Sequence, residues 1–312
     1  MITLHWVYLL AGTAFAAFAL LGLTDRTNPR RARNAIFWGL MATSMWAGDL
    51  LGDFGNGLLV IALIAIGGLG LGRGTAGEAA PALRAARAAR HRGTLFLIAL
   101  VIPATALIGT FLFKHLPALV DVKQVTLISL ALGVLLALAA GYLALRAPLL
   151  LPLEQGRRLM DQVGWAAILP QMLASLGAVF ALAGVGEAVG AIIQLGIPAG
   201  SLFGAVVAYG LGMAIFTMVM GNAFAAFPVM LAAIGMPLLI HGYGGNPAVI
   251  SAIGMLAGFC GTLMTPMAAN FNLVPAALLE LKDDYGVIRR QIGTALPLLA
   301  VNILFIYWFA FP

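Results

Sequence analysis

Long apolar runs recur along the whole sequence, and they restrict the fold more than any other feature. Each run has about 20 residues, which is enough for an α-helix to cross about 30 Å of hydrocarbon. Of the 312 residues, 62% are hydrophobic and 9% are charged, whereas a soluble chain carries about 25% charged residues. The runs do not alternate polar with apolar residues, so a membrane β-barrel is disfavoured. The sequence therefore predicts an all-α polytopic membrane protein, with regular spans at about 4–23, 35–52, 56–72, 94–113, 125–146, 164–186 and 292–311.

The basic residues indicate how these spans are oriented. If the spans alternate in direction, fifteen of the 17 Lys and Arg residues fall on one side of the membrane, and only Lys114 and Lys123 fall on the other. Cytoplasmic loops carry the excess of Lys and Arg, so the N-terminus is predicted to be outside. The net charge of +6 is therefore explained by the basic cytoplasmic loops, and it does not indicate nucleic acid binding. Loop 73–93 is predicted to hold a short basic helix, because its arginines recur at spacings of three.

Motifs for an enzyme are missing from the sequence. The four histidines are far apart, and neither HExxH nor GxSxG occurs. The single cysteine, Cys260, excludes an internal disulfide, and no partner base for it is evident in the sequence. We therefore predict no catalytic residue and no enzymatic activity.

Two polar interruptions inside apolar segments are the strongest functional signal. The first is Gly221-Asn222 within FTMVMGNAFAAFPVM. Gly and Asn both tolerate the left-handed backbone that a sharp turn needs. Segment 201–240 can then be two full spans joined by a tight turn, or one re-entrant hairpin with Gly221-Asn222 at its tip. In the re-entrant alternative, the second arm begins at Ala223 with free N–H groups inside the membrane.

The second interruption is GTLMTPMAANFNLVP, residues 261–275. It lies within residues 248–282, which are too many for one straight span and too few for two. Pro266 removes one backbone donor and disfavours helix at the residue before it. We therefore predict one broken helix over about 248–282. Four polar side chains of the break can satisfy the freed backbone and also face a ligand: Thr262, Thr265, Asn270 and Asn272.

Purely structural roles compete with binding at these positions. Proline kinks are common in membrane helices, and Asn and Thr often only hydrogen-bond across helices. Two interruptions close in sequence favour a binding site, because transporters build their sites from broken helices. Gln171 is either a wall residue of the site or an interhelical contact. Glu187 is either a buried functional acid or an interfacial side chain near the outer end of its span.

The stretches MGNAFAAFPVM and GFCGTLMTPMAANFNLVPAALLELKDDYGVI resemble the signature of a bacterial family called domain of unknown function 979. FWGLMA and AVFALAGVGEAVG also fit, so the likeness covers nearly the full length. The resemblance implies one subunit of a two-subunit 5-oxoproline (pyroglutamate) transporter, related to the ion transporter superfamily of elevator-type carboxylate carriers. Members of that superfamily contain two inverted repeats, each with a re-entrant hairpin and a broken helix. Asn and Thr at the hairpin tips bind the substrate carboxylate and sodium.

The resemblance also implies roles for residues of this chain. The hairpin-tip or ion-binding positions would be Gly221, Asn222, Ala223 and Pro266, and the substrate-binding positions would be Asn222, Thr262, Thr265, Asn270 and Asn272. The tip reads Gly-Asn-Ala and lacks the hydroxyl groups of the Ser-Asn-Thr type tip found in many members. One hairpin and one broken helix are half of a full carrier. A second membrane subunit or a second copy of the chain is therefore expected to complete the site.

The predicted protein is thus a subunit of a secondary active, elevator-like transporter in the bacterial inner membrane. It would carry a small carboxylate, 5-oxoproline by the resemblance, coupled to Na⁺ or H⁺. No cofactor is expected, and the one metal ion considered is Na⁺ as the coupling ion. Its partners would be membrane lipid, the second subunit or copy, and the substrate. About nine or ten membrane segments are expected, divided into a scaffold-like region 1–163 and a transport-like region 164–312. The alternative is a non-transporting scaffold or interaction subunit of a larger complex.

Overall fold

A computed structural model of the chain describes residues 1–74, 81–146, 148–194 and 200–311. Within these ranges the protein is helical, and the only extended pairing is one isolated bridge between Ile2 and Val120. Seven of the described helices are long and apolar enough to cross a membrane. These findings confirm the predicted all-α polytopic membrane fold. The chain divides into two compact units, Met1–Gly164 and Trp165–Pro312; the scaffold-like and transport-like roles of its two halves stay predictions.

The described part of the first unit is built from membrane-length helices and two amphipathic ones. The helices are α1 Leu4–Thr24, α2 Arg31–Gly68, α3 Pro81–His91, α4 Gly93–Phe113, α5 Val125–Leu145 and α6 Leu151–Val163. A 3₁₀ turn over Val122–Gln124 precedes α5. Predicted spans 4–23, 94–113 and 125–146 are confirmed by α1, α4 and α5, and α3 is the predicted short basic helix.

The helix α2 is a hairpin of two arms. Its backbone leaves the helical region at Gly52, where φ is 61°. A straight helix of this length would separate its ends by more than about 50 Å, yet the Asn34 amide donates to the carbonyl of Gly72 over 2.8 Å. The Arg33 guanidinium likewise donates to the carbonyl of Gly70 over 2.9 Å. The chain therefore reverses at Gly52, which confirms two adjacent spans near 35–52 and 56–72.

The second unit begins with an interrupted segment. The 3₁₀ turn Gly164–Ile168 leads into the helix Leu169–Leu182 and then the helix Val185–Gln194. The single span predicted at 164–186 is wrong, because Gly184 has a φ of 67° and the helix ends before it. The last helix begins six residues before the predicted span 292–311 and ends two residues before its end, at Phe309. The described helices are α7 Leu169–Leu182, α8 Val185–Gln194, α9 Leu202–Met220, α10 Ala223–Met230 with its π-helical continuation Leu231–Gly242, α11 Pro247–Thr262, α12 Leu273–Leu278 and α13 Gly286–Phe309.

Helix α9 and the α10–π arm form an antiparallel hairpin about Gly221-Asn222. Their apolar side chains fill one core, in which Tyr209 and Met213 of the first arm are buried with Met230 and Ile234 of the second. Helix α11 lies along α9, and α13 lies along α11. The hairpin predicted for about 201–240 is therefore present.

The two arms of the hairpin have nearly equal lengths. The first arm is Leu202–Met220, with 19 residues, and the second is Ala223–Gly242, with 20 residues. Each arm is long and apolar enough to cross a membrane. The structure therefore confirms the sharp turn at Gly221-Asn222, and both alternatives for it, a re-entrant hairpin and two full spans, stay predictions.

The broken helix has a long first half and a short second half. Helix α11 ends at Thr262, residues 263–272 are irregular, and α12 has only six residues, ending at Leu278. The break therefore falls where Pro266 predicts it. The second half stops four residues before the predicted end at Lys282, because Leu279 caps α12 and the next residue, Glu280, has a φ of 53°.

Candidate functional site

The tip of the hairpin is two residues long. Gly221 adopts the left-handed conformation, with φ 72°, and its N–H donates to the carbonyl of Thr217 over 2.7 Å, which closes α9. Asn222 is extended, and its Oδ1 accepts from the N–H of Phe224 over 2.9 Å, which caps α10. Ala223, the first residue of α10, is buried. The three predicted tip residues thus end one helix and start the next with no spacer.

The tip packs directly on the break of the neighbouring helix. A Cβ atom added to Gly221 would lie 2.5 Å from the carbonyl oxygen of Met267 and 3.1 Å from its Cβ, so only glycine fits. The Thr265 hydroxyl donates to the carbonyl of Met218 over 2.8 Å and accepts from the N–H of Met267 over 3.2 Å. The structure therefore brings the two predicted motifs together, although about 40 residues separate them.

Asn272 holds the break in shape. Its side chain is fully buried, and its amide nitrogen donates to the carbonyls of Thr262 over 2.8 Å and Thr265 over 2.7 Å. Without this side chain those carbonyls would lack donors, because the irregular segment cannot continue the helical ladder past Pro266. The Thr262 hydroxyl donates back to the carbonyl of Phe259 over 2.6 Å. Three of the predicted polar residues of the break thus form one cluster.

Two buried side-chain oxygens of the hairpin and the broken helix have no hydrogen-bond partner among the described residues. They are Oδ1 of Asn272 and Oγ1 of Thr217, and both side chains are fully buried. Thr217 lies one turn before Gly221 and faces α11, where a Cβ on Gly258 would be 3.2 Å from its Oγ1. An unsatisfied buried polar group costs about 1–3 kcal/mol. Both atoms can act as hard ligands to a small cation or as partners of a polar substrate.

Thr217 is a residue that the sequence did not single out. It sits in an apolar run and has no proline beside it, so it resembles an ordinary helix position. Its spacing of one helical turn from Gly221 is the signal that could have identified it, because residues four apart share a helix face.

The remaining predicted residues are exposed and take no part in the hydrogen bonds of the buried cluster. Asn270 and Pro266 are exposed on the irregular segment. Gln171 is exposed on α7, where its carbonyl accepts from the Ser175 hydroxyl over 3.0 Å. Glu187 is exposed in the first turn of α8, where a carboxylate is favoured by the helix dipole. In the part of the chain that the structure describes, neither Gln171 nor Glu187 bonds to the tip or the break.

A second polar cluster lies in the first unit, and the sequence did not predict it. The Arg157 guanidinium forms ion pairs with Asp25 and Asp161, each at 3.0 Å, and all three side chains are buried. The Trp38 indole donates to Asp161 over 2.8 Å, and the Asn34 amide donates to it over 2.9 Å. This set, here called the Arg157 cluster, joins α6 to α2 and to the loop after α1.

The two acids of the Arg157 cluster are shifted in opposite directions. Burial acts to raise the pKa of Asp25, but hydrogen bonds from Thr27 and the charge of Arg157 outweigh it, so the pKa lies below its ordinary value. Burial also raises the pKa of Asp161, and there it outweighs the hydrogen bonds from Trp38 and Asn34 and the charge of Arg157. The folded protein therefore favours the charged form of Asp25 and disfavours that of Asp161.

The family described as "Protein of unknown function (DUF979)" matches residues 5–311, which is nearly the whole chain. This match confirms the family resemblance carried by the two motifs. No curated protein and no solved structure matches the chain.

Proposed function

The chain belongs to the DUF979 family, and from that premise we propose that it is a subunit of a secondary active transporter for a small carboxylate. One observation carries the proposal: the tip Gly221 packs on Met267 in the middle of a broken helix. Irregular backbone is tolerated at membrane depth where it lines a cavity or is buried in protein. Transporters use such breaks to bind substrates and coupling ions near the midplane.

The start of α10 supports binding of an anionic group. Helix α10 begins directly after the tip, and the first N–H groups of a helix have no partners within it. Together with the helix dipole they favour a carboxylate at this point. Asn222 is half-buried and Asn270 is exposed, so both are accessible to a substrate. In this proposal they contact the carboxylate, and the buried Thr262, Thr265 and Asn272 hold the shape of the site.

The buried oxygens support Na⁺ over H⁺ as the coupling ion. Thr217 Oγ1 and Asn272 Oδ1 have no hydrogen-bond partner in the described ranges, and two backbone carbonyls of the break lie beside Asn272. Neither an alcohol nor an amide side chain takes up a proton near neutral pH. In the described part of the second unit, no Asp, Glu or His side chain is buried. A proton-coupled site needs such a group, whereas a sodium site needs only oxygen ligands.

The other half of the site would come from a partner. The chain supplies one hairpin and one broken helix, and the resemblance implies that a full carrier has two of each. A second membrane subunit or a second copy of this chain would place the second pair opposite the first. The alternative function is a scaffold that assembles with the same partner and transports nothing.

Uptake measurements test the proposal. The purified chain is reconstituted into lipid vesicles, alone and with its candidate partner subunit, and entry of labelled 5-oxoproline is followed with and without an inward Na⁺ gradient. We expect uptake that requires Na⁺ and is abolished by Asn222→Ala and by Asn270→Ala. Ser175→Ala, which removes an exposed hydroxyl on α7, is the matched control and should transport normally.

The isosteric variant Thr217→Val tests the ion site separately. It removes one oxygen ligand and keeps the shape, so we expect at least about a tenfold rise in the Na⁺ concentration for half-maximal uptake, since one hydrogen bond to a charged group contributes about 1.5–3 kcal/mol. Uptake by both Asn variants at the wild-type rate would contradict the substrate site. If no condition gives uptake but the chain still binds its partner, the scaffold alternative is supported.

A further inference from the structure

The first unit contains an apolar groove between α1 and α5. Its volume is about 420 Å³, and eleven of its twelve lining residues are apolar. The twelfth is Thr13, whose hydroxyl already donates to the carbonyl of Leu9 over 2.7 Å. Apart from the indole N–H of Trp6, the lining therefore offers no further polar side chain, and it suits an apolar ligand. Nothing in the proposed transport site of the second unit uses this groove.

The groove has the depth of part of one membrane leaflet. On α1 the lining runs from Trp6 to Thr13, and on α5 from Ile128 to Leu135. Each stretch covers seven helical steps, or about 10 Å, against about 15 Å for half of the hydrocarbon core. Trp6 is 61% exposed, and exposed tryptophans mark the headgroup level of membrane proteins. The groove thus starts at the headgroup level and extends inward beside one leaflet.

The segment that closes the outer end of the groove carries positive charge. Phe113 and Val120 line the groove. Lys114 directly follows Phe113, and Lys123 lies three residues after Val120. Both lysines are exposed, and neither forms an ion pair within the described ranges. Within residues 113–123 the acid is Asp121, whose side chain caps the turn at Lys123 by accepting from its backbone N–H over 3.0 Å. The exposed acids Asp49 and Asp53 lie at the turn of α2 around Gly52. Lys114 and Lys123 are the two basic residues that the predicted topology places opposite the other fifteen.

We propose that this groove holds one acyl chain of a phospholipid, with the phosphate of that lipid against Lys114 and Lys123. The apolar lining accepts the chain, the depth matches one leaflet, and the exposed ammonium groups complement the phosphate. A transmembrane helix of a partner subunit is a poorer occupant, because a helix about 10 Å wide would need a seam across both leaflets. This groove ends about halfway along α1, at Thr13.

Quenching of Trp6 fluorescence tests the proposal. Full-length protein in detergent micelles is titrated with phosphatidylglycerol whose acyl chains carry bromine, which quenches tryptophan at short range. We expect saturable quenching at one lipid per protein, and its loss in Trp6→Phe identifies the reporter. Ala131→Phe fills the groove and should weaken binding at least about tenfold, since an overpacked apolar site loses about 1–3 kcal/mol. Ala139→Phe, on the same helix outside the groove, should bind like wild type.

The lysines are tested by a second measurement that leaves the groove intact. Changing both Lys114 and Lys123 to Gln should weaken phosphatidylglycerol binding by about fivefold per lysine, with a smaller effect at high salt. Quenching that rises linearly without saturation, or that is equal in Ala131→Phe and Ala139→Phe, would overturn the proposal. Loss of lipid quenching when a co-purified membrane subunit is bound would also overturn the proposal, because the occupant of the groove would then be that subunit.

Discussion

Replacing Gly221 with alanine tests the central contact of the candidate site. At this position an added methyl group meets two obstacles. The backbone φ is 72°, which L-residues with a side chain rarely adopt, and the Cβ would lie 2.5 Å from the carbonyl oxygen of Met267. Normal contact between these atoms needs about 3.4 Å or more, so either the tip or the break must move. Because the carbonyl belongs to the backbone, it cannot turn aside as a flexible side chain would.

Gly244 provides the matched control. It has a φ of 69°, but an added Cβ there meets no atom within 4 Å. Gly244→Ala therefore introduces the backbone strain alone, about 1–2 kcal/mol. Gly221→Ala adds overpacking of about 1–3 kcal/mol to the same strain. The difference between the two variants measures the packing of the tip on the break.

The single cysteine of the chain makes the measurement simple. Cys260 is buried on α11, close to the break, so a fluorogenic maleimide reacts with it only when the helices open. At about 2 °C per kcal/mol, we expect the midpoint of thermal unfolding to fall by about 2–4 °C in Gly244→Ala and by about 4–10 °C in Gly221→Ala. Equal shifts in the two variants would refute the contact and with it the geometry on which the transport proposal rests.

Three further predictions concern stability in detergent, followed by tryptophan fluorescence during denaturant unfolding. Arg157→Met should lower the unfolding free energy by about 3–5 kcal/mol, because it leaves two buried acids without their cation, while the exposed Arg290→Met should change it by less than about 0.5 kcal/mol. Because the pKa of Asp25 is lower in the folded than in the unfolded protein, its charged carboxylate stabilises the fold at pH values above the unfolded pKa. This stabilisation is lost as the pH falls through the folded pKa. The Asp25→Asn variant should therefore have a lower unfolding free energy than wild type at pH 7, and its unfolding free energy should fall less on acidification. Asn272→Leu leaves two buried carbonyls unpaired and should cost about 2–6 kcal/mol, whereas Asn270→Leu, at an exposed position, should cost less than about 0.5 kcal/mol. The first prediction is contradicted if the Arg290 variant is as unstable as the Arg157 variant. The second is contradicted if stability is equally acid-sensitive with and without Asp25. The third is contradicted if the Asn270 variant is as unstable as the Asn272 variant.

The membrane helices and the two interruptions could be predicted from the sequence because they depend on local chemistry. Hydropathy alone marks α1, α4 and α5, since each must cover the hydrocarbon core with apolar side chains. The turn at Gly221 and the break at Pro266 follow from residues whose backbone preferences do not depend on their neighbours. The same reasoning failed at 164–186, because one positive-φ glycine, Gly184, looks like the other glycines of an apolar run.

Contacts between distant residues could not be predicted in this way. Asn270 and Asn272 are equivalent in sequence, and only the path of the irregular backbone decides that the second is buried. Thr217 is indistinguishable from a helix-packing threonine until α11 is placed against it. Arg157 was counted among the loop charges that set orientation, because its partner Asp25 lies 132 residues away. A single sequence without an alignment carries no signal that links such a pair.

The Arg157 cluster also imposes an order on biosynthesis. Asp25 is synthesised early, and Arg157, whose guanidinium neutralises it, follows 132 residues later. Synthesis of these residues takes about 7–26 s at about 5–20 residues per second. During that interval α1, α2, α4 and α5 can enter the bilayer, but the carboxylate between the first two has no cation. The arrival of α6 therefore completes the first unit in a single late step. A nascent chain stalled before residue 157 should remain open to proteolysis at the loop after α1, and one released after residue 161 should be protected there.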